Sequence, residues 1–180
     1  MNTAEIKKLA TRHPEARKKF NGIYPVDLLP SVKKEGVYIV NLDDSTGDGS
    51  HWVALEIEKR KNTYFDSYGL PPKDKRLKKF LGKNYRKNLK RLQHPMTTTC
   101  GQWCLYFLLR RAQNWTVREI VKPFKKNLEK PTLINDHVLN YMVEKKFKLK
   151  KYVKVIDKEF LKDQLREQVA QQMSANLLKW

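Results

Sequence analysis

Ile6, Leu9 and Ala10 stand three and four residues apart in polar surroundings, which predicts helical turns on each side of His13-Pro14 within Asn2 to Phe20. Tyr24 to Pro30 is bounded by prolines and reads as a loop. The run Gly36-Val37-Tyr38-Ile39-Val40-Asn41-Leu42 predicts a buried strand, and Asp43 to Ser50 is turn chemistry throughout. His51 to Ile57 is apolar enough for a central strand. After a polar turn at Lys59 to Asn62, Thr63 to Tyr68 is strand-like again, until Gly69, Pro71 and Pro72 stop it.

The period then changes. Leu77, Phe80 and Leu81 give helical spacing within Lys73 to Leu92, with a weaker continuation after them. Trp103, Cys104, Phe107, Leu108 and Ala112 make Cys100 to Trp115 a strong helix. Thr116 can cap a short helix broken at Pro123, and Ile134 to Phe147 predicts another. Leu161, Leu165, Val169, Met173 and Leu177 recur every four residues, so Asp157 to Trp180 reads as a long amphipathic helix. The order is helices, a small central sheet, then helices, which is an α+β fold: a mixed β-sheet flanked by helices. We expect the main domain to span residues 1–156. Residues 157–180 are expected to be part of it or appended to it, as a docking element in cis or in a dimer.

Composition adds a charge signal. The 180 residues carry 38 Lys and Arg against 19 Asp and Glu, a net charge of +19. Lys73 to Arg91 holds ten basic residues and one acid, Asp74, and a second cluster runs from Lys145 to Lys154. Such an excess attracts polyanions, so non-specific DNA contact through Lys73–Arg91 is expected. No zinc-finger spacing or RNA-recognition aromatic signature is present to read bases. No apolar run approaches a membrane span and the N-terminus is polar, so no membrane association or secretion is expected.

Both cysteines lie in HPMTTTCGQWC, residues 94–104. A structural zinc site needs four ligands, and His94 brings no companion spacing, so no metal is expected. A disulfide between Cys100 and Cys104 on one helix would be poorly aimed. Cys104 falls on the apolar stripe with Phe107 and Leu108 and reads as packing. Cys100 instead follows three threonines and precedes Gly101, at a junction between loop and helix. A helix N-terminus favours thiolate and offers free N–H groups to an oxyanion, and Gly101 removes a side chain where a substrate carbonyl would approach.

A nucleophilic cysteine needs a base with an orienting group behind it. Of the four histidines, His13 and His137 read as surface or structural, and His94 is too near Cys100 along the chain to be assigned a role. His51 opens a core strand after a glycine-rich loop, and the next strand carries Asp66 within Tyr64-Phe65-Asp66-Ser67-Tyr68. A carboxylate among aromatics needs a cationic or N–H partner, which an imidazole on the neighbouring strand would supply. Periodicity leaves the register of the hairpin open, and with it the contact.

His51-Trp52, Tyr64 to Gly69, and Gln93 followed seven residues later by Cys100-Gly101-Gln102-Trp103-Cys104 resemble the adenovirus-type cysteine proteases, the adenain family of the SUMO-protease clan. The likeness covers residues 20–115, and its spacings favour the branch found in virophages and large DNA transposons. The resemblance implies Cys100 as nucleophile, His51 as general base and Asp66 as its orienting carboxylate. It gives Gln93 the role of oxyanion-hole donor beside the Cys100 N–H, and places Trp52 and Gly101 against the substrate. Asp66 stands where adenain has glutamate; aspartate is the usual residue elsewhere in the clan. Adenain is stimulated by DNA and by a disulfide-linked peptide. This chain has no cysteine outside the catalytic helix for such a link, so the chemistry is expected to need no cofactor, with DNA as a stimulator.

The resemblance thus implies an endopeptidase that processes viral capsid precursors, inside the virion or the host cell. A deconjugase of ubiquitin-like modifiers is the alternative within enzymes. A basic nucleic-acid-binding protein with a vestigial triad is the alternative outside them.

Overall fold

The computed structural model describes residues 1–124 and 133–147, which fall in one compact unit ending at Lys148. The expected domain boundary at 156 and the helix over 157–180 lie outside the described residues, as does most of the second basic cluster.

Two short helices come first, α1 (Thr3–Arg12) and α2 (Pro14–Lys19). A capping box between Asn2 and Glu5 starts α1, while the His13 ring accepts the Ala16 N–H to start α2. Next come β1 (Phe20–Pro25), a 3-10 turn (Val26–Leu28), β2 (Gly36–Asn41), β3 (Trp52–Ile57) and β4 (Asn62–Phe65). They are followed by α3 (Lys75–Leu81), β5 (Tyr85–Lys87), α4 (Cys100–Ala112), α5 (Val117–Val121) and α6 (Leu133–Phe147).

The strands form one five-stranded mixed sheet in the order β1-β2-β3-β4-β5. The β2-β3-β4 meander is antiparallel, and β1 and β5 each join its edges in parallel. Every residue of β2 and β3 is buried, because both faces of the sheet are covered. On one face Tyr38, Val40, Val53, Leu55 and Tyr64 pack against Leu77, Phe80 and Leu81 of α3. On the other lies α4, where Phe107 stacks on Phe65 with ring centres 4.7 Å apart.

Glu56 lies on this second face, fully buried in mid-strand, and is tolerated there because Arg111 of α4 and Lys19 of α2 both pair with it. The Arg111 guanidinium also reaches Glu58. One ionic cluster therefore ties both helices to β3.

Three expectations change. Tyr24 to Pro30 is not all loop: β1 runs to Pro25 as an edge strand, half-buried along its whole length and so without an alternating pattern to betray it. The helix begun at Lys75 does not continue towards Leu92. Gly82, at φ +80°, ends it, and the chain re-enters the sheet as β5. Finally β4 stops at Phe65, so Asp66 lies just past the strand rather than within it.

Candidate active site

His51 immediately precedes β3 and Asp66 immediately follows β4, so antiparallel pairing brings both to the same end of the sheet. The His51 carbonyl accepts the Leu42 N–H at 2.9 Å, extending the β2–β3 ladder by one residue and fixing its backbone. The backbone of Asp66 is clasped by the Asn88 carboxamide, which accepts its N–H at 2.9 Å and donates to its carbonyl at 2.6 Å. Thus held, Asp66 Oδ1 lies 2.8 Å from His51 Nε2 and accepts the Tyr68 N–H at 2.8 Å. That leaves Nδ1 as the imidazole nitrogen available to Cys100, whose thiol hydrogen-bonds the His51 ring.

Cys100 is the first residue of α4, and its N-cap, Thr99, makes no side-chain capping bond. The backbone N–H groups of Trp52 and Gly101 both point at its sulfur. Burial works against the thiolate, but the His51 hydrogen bond, these two N–H groups and the imidazolium charge together lower the Cys100 pKa below the ordinary thiol value. For His51, burial disfavours the cation, yet Asp66 and Cys100 outweigh it and raise the pKa to about 9. The arrangement thus favours a thiolate–imidazolium pair over the neutral thiol and imidazole. Cys104, one turn further along the helix, is fully buried, and burial pushes its pKa far up. Both cysteines are free thiols.

The segment leading to Cys100 is organised by a residue that sequence reasoning missed. Asp136 of α6 is buried, and its carboxylate accepts four hydrogen bonds. These come from the His94 N–H (2.9 Å), the Thr97 hydroxyl (2.9 Å), the Thr99 hydroxyl (2.6 Å) and Trp103 Nε1 (2.9 Å). Thr99 is thus drawn away from capping α4, which leaves the first N–H groups of that helix to the site. Nearby, Asn135 donates to the Leu92 carbonyl at 3.1 Å. The available signal was an Asn-Asp pair in the first turn of α6.

Gln93 is buried. The Ser67 carbonyl accepts the N–H groups of Leu92 and Gln93, and the Ser67 hydroxyl donates to Gln93 Oε1 at 2.7 Å. This fixes the orientation of the amide. Gln93 Nε2 donates to the Thr97 carbonyl at 2.7 Å and to the Tyr68 hydroxyl at 3.2 Å, so both of its hydrogens are engaged. Tyr68, also not singled out from the sequence, stacks on His51 with ring centres 4.8 Å apart.

Trp52 lines a cavity of about 600 Å³ together with Tyr24, Asn41, Asp44 and Asp48. Tyr68 lines another of about 460 Å³ with Leu70, Leu89, Arg91 and Pro95. Each cavity therefore shares a residue with the surroundings of the thiol–imidazole pair. A Cβ on Gly101 would stand 3.0 Å from Ile6 Cδ1 and 3.2 Å from Met1 Cβ, so the start of α4 packs closely against the N-terminal helix. His94 accepts the Met96 N–H and shapes the turn before Cys100.

Fold and site together define a class: an α+β protein with a thiol, an imidazole and a carboxylate in hydrogen-bonded series at a helix N-terminus. Comparison with known protein families finds no match. No curated protein matches either. Among solved structures, the crystal structure of the ASFV pS273R protease in selenomethionine form is similar at a TM-score of 0.42 and 20% identity. The alignment covers 68% of this chain and 47% of that one, so the matched region spans about half of the viral protease. The functional reading rests on the geometry of the site.

Proposed function

We propose that the protein is a cysteine endopeptidase of the adenain type, acting through Cys100, His51 and Asp66. The observation that carries this is the linked series from carboxylate to imidazole to thiol, with His51 Nε2 2.8 Å from Asp66 and the Cys100 thiol on the same ring. The Cys100 thiolate attacks the scissile carbonyl carbon, and the carbonyl electron pair moves onto oxygen. Collapse expels the amine, which takes its proton from the His51 imidazolium and leaves a thioester on Cys100. His51, now neutral, removes a proton from water as it attacks the thioester, and the acid product departs. Asp66 holds the ring in register and stabilises its charged form. The Cys100 N–H, first in its helix and without an intrahelical acceptor, faces the developing oxyanion. The resemblance to adenain assigns Gln93 to the same task.

The substrates we propose are viral capsid precursors, from the likeness of the His-Trp, acid, Gln and Cys-Gly series to the adenain family. Lys73, Lys75, Lys78, Lys79 and Lys83 are exposed in and beside α3, and a DNA partner there would hold enzyme and precursor together. Purified protein should be given the capsid precursors of the genome that encodes it and, in parallel, SUMO- and ubiquitin-fluorophore conjugates. Cleavage of the precursors at discrete sites, lost in Cys100→Ala, supports the proposal. Release of fluorophore from the conjugates alone would reassign the protein as a deconjugase, and cleavage of neither would refute the enzymatic reading.

A further inference from the structure

Gln93 has no free amide hydrogen to offer an oxyanion. One goes to the Thr97 carbonyl and the other to the Tyr68 hydroxyl. The Tyr68 oxygen is an acceptor in that bond, so its own O–H remains to be given, and no acceptor for it occurs among the described residues. Three contacts fix the tyrosine. Its N–H binds Asp66 Oδ1 at 2.8 Å, one ring face stacks on His51, and the Arg91 guanidinium lies 5.7 Å from the ring centre. A phenol stacked on the base and bonded to the Gln93 amide is a preorganised donor beside the thiol's imidazole partner.

We propose that the Tyr68 hydroxyl is a catalytic oxyanion donor, hydrogen-bonding the oxygen of the tetrahedral intermediate on Cys100 while Gln93 holds and polarises it from behind. This rests on the endopeptidase reading above. No proton is transferred in the step. The electron pair that leaves the C=O bond as the S–C bond forms is stabilised by the O–H, and it returns when the amine is expelled with the proton of His51. Burial and the Cys100 charge raise the Tyr68 pKa, which keeps the phenol protonated while the thiolate is present. A direct Gln93 donor would instead have to give up one of its two resting bonds.

The test is Tyr68→Phe, which keeps the ring and its stack on His51 while removing the oxygen. Cleavage of the fastest member of a fluorescence-quenched peptide library is compared with alkylation of Cys100 by iodoacetamide, which forms no oxyanion. We expect kcat to fall about a hundredfold with KM little changed, while the alkylation rate and its pH profile stay those of the wild type. In the Tyr68→Phe background, adding Gln93→Ala should cost much less than it does alone. A variant that cleaves as fast as the wild type, or faster, would show that Gln93 donates directly once freed and would overturn the proposal. An equal fall in alkylation would overturn it too, by placing the effect on the nucleophile. Failure of the wild type itself to cleave any library member refutes the endopeptidase reading, and this inference falls with it.

Discussion

Cys100 and Cys104 share one helix yet differ in chemistry, because N–H donors and the His51 ring favour the thiolate of one, while burial and then the Cys100 and Asp66 charges disfavour that of the other. Iodoacetamide at pH 6.5 to 7 should therefore label Cys100 in the folded protein and leave Cys104 untouched until the protein is denatured. His51→Ala removes both the hydrogen bond and the charge that hold the thiolate, so labelling of Cys100 near neutral pH should slow by about tenfold or more. The pH profile of cleavage follows from the same pair. Activity should rise with pH as Cys100 ionises, below the ordinary thiol value, and fall again near pH 9 as His51 loses the proton that the leaving amine requires. The two groups titrate as a unit, so the limbs belong to the pair. A single rising curve with no alkaline limb would contradict the assignment of His51 as acid. Cys100, His51 and Asp66 were legible as candidates because a thiol before a glycine, a histidine opening a strand and an acid among aromatics are each anomalous locally. Tyr68, Asn88 and Asp136 were not, because their roles rest on partners remote along the chain, as in the 22 residues between Asn88 and Asp66 and the 42 between Asp136 and His94, which spacing does not reveal.

At the scale of elements, the site depends on a carboxylate that lies far from it along the chain. Asp136→Asn presents an N–H to two of the four donors it now accepts, which should cost roughly 2 to 5 kcal/mol in urea unfolding and lower activity by loosening residues 94–99. Unchanged stability would contradict the role of Asp136 as the anchor of that loop. Glu56→Ala leaves Arg111 and Lys19 without their shared buried partner, and should destabilise the fold by about 3 to 5 kcal/mol. Long apolar runs and strong caps made β2, β3, α4, α5 and α6 readable from pattern alone. The two elements misread were β1 and β5, both edge strands held by pairing with a neighbour rather than by their own apolar period. At Gly82 the chain turns from helix to sheet through a backbone conformation that a helical-spacing argument does not anticipate.

At the scale of the molecule, a net charge of +19 is spread unevenly. In α3 the apolar residues Leu77, Phe80 and Leu81 are buried while Lys75, Lys78 and Lys79 are exposed. Arg76 and Arg86 are already paired, with Asp44 and Asp74 and with Glu58. Reversing Lys75, Lys78, Lys79 and Lys83 to Glu should therefore weaken binding to a random DNA duplex and flatten its dependence on salt, without altering the folded state. Unchanged affinity and salt slope would place DNA contact elsewhere or nowhere. The central claim, that this basic α+β protein is a peptidase with Cys100 as its nucleophile, has one direct measurement: cleavage of a quenched peptide library by wild type, Cys100→Ala and Cys104→Ala, with mass spectrometry locating the acyl adduct. The account predicts cleavage by the wild type and Cys104→Ala, none by Cys100→Ala, and an adduct on Cys100. Cleavage that survives Cys100→Ala but not Cys104→Ala would contradict it.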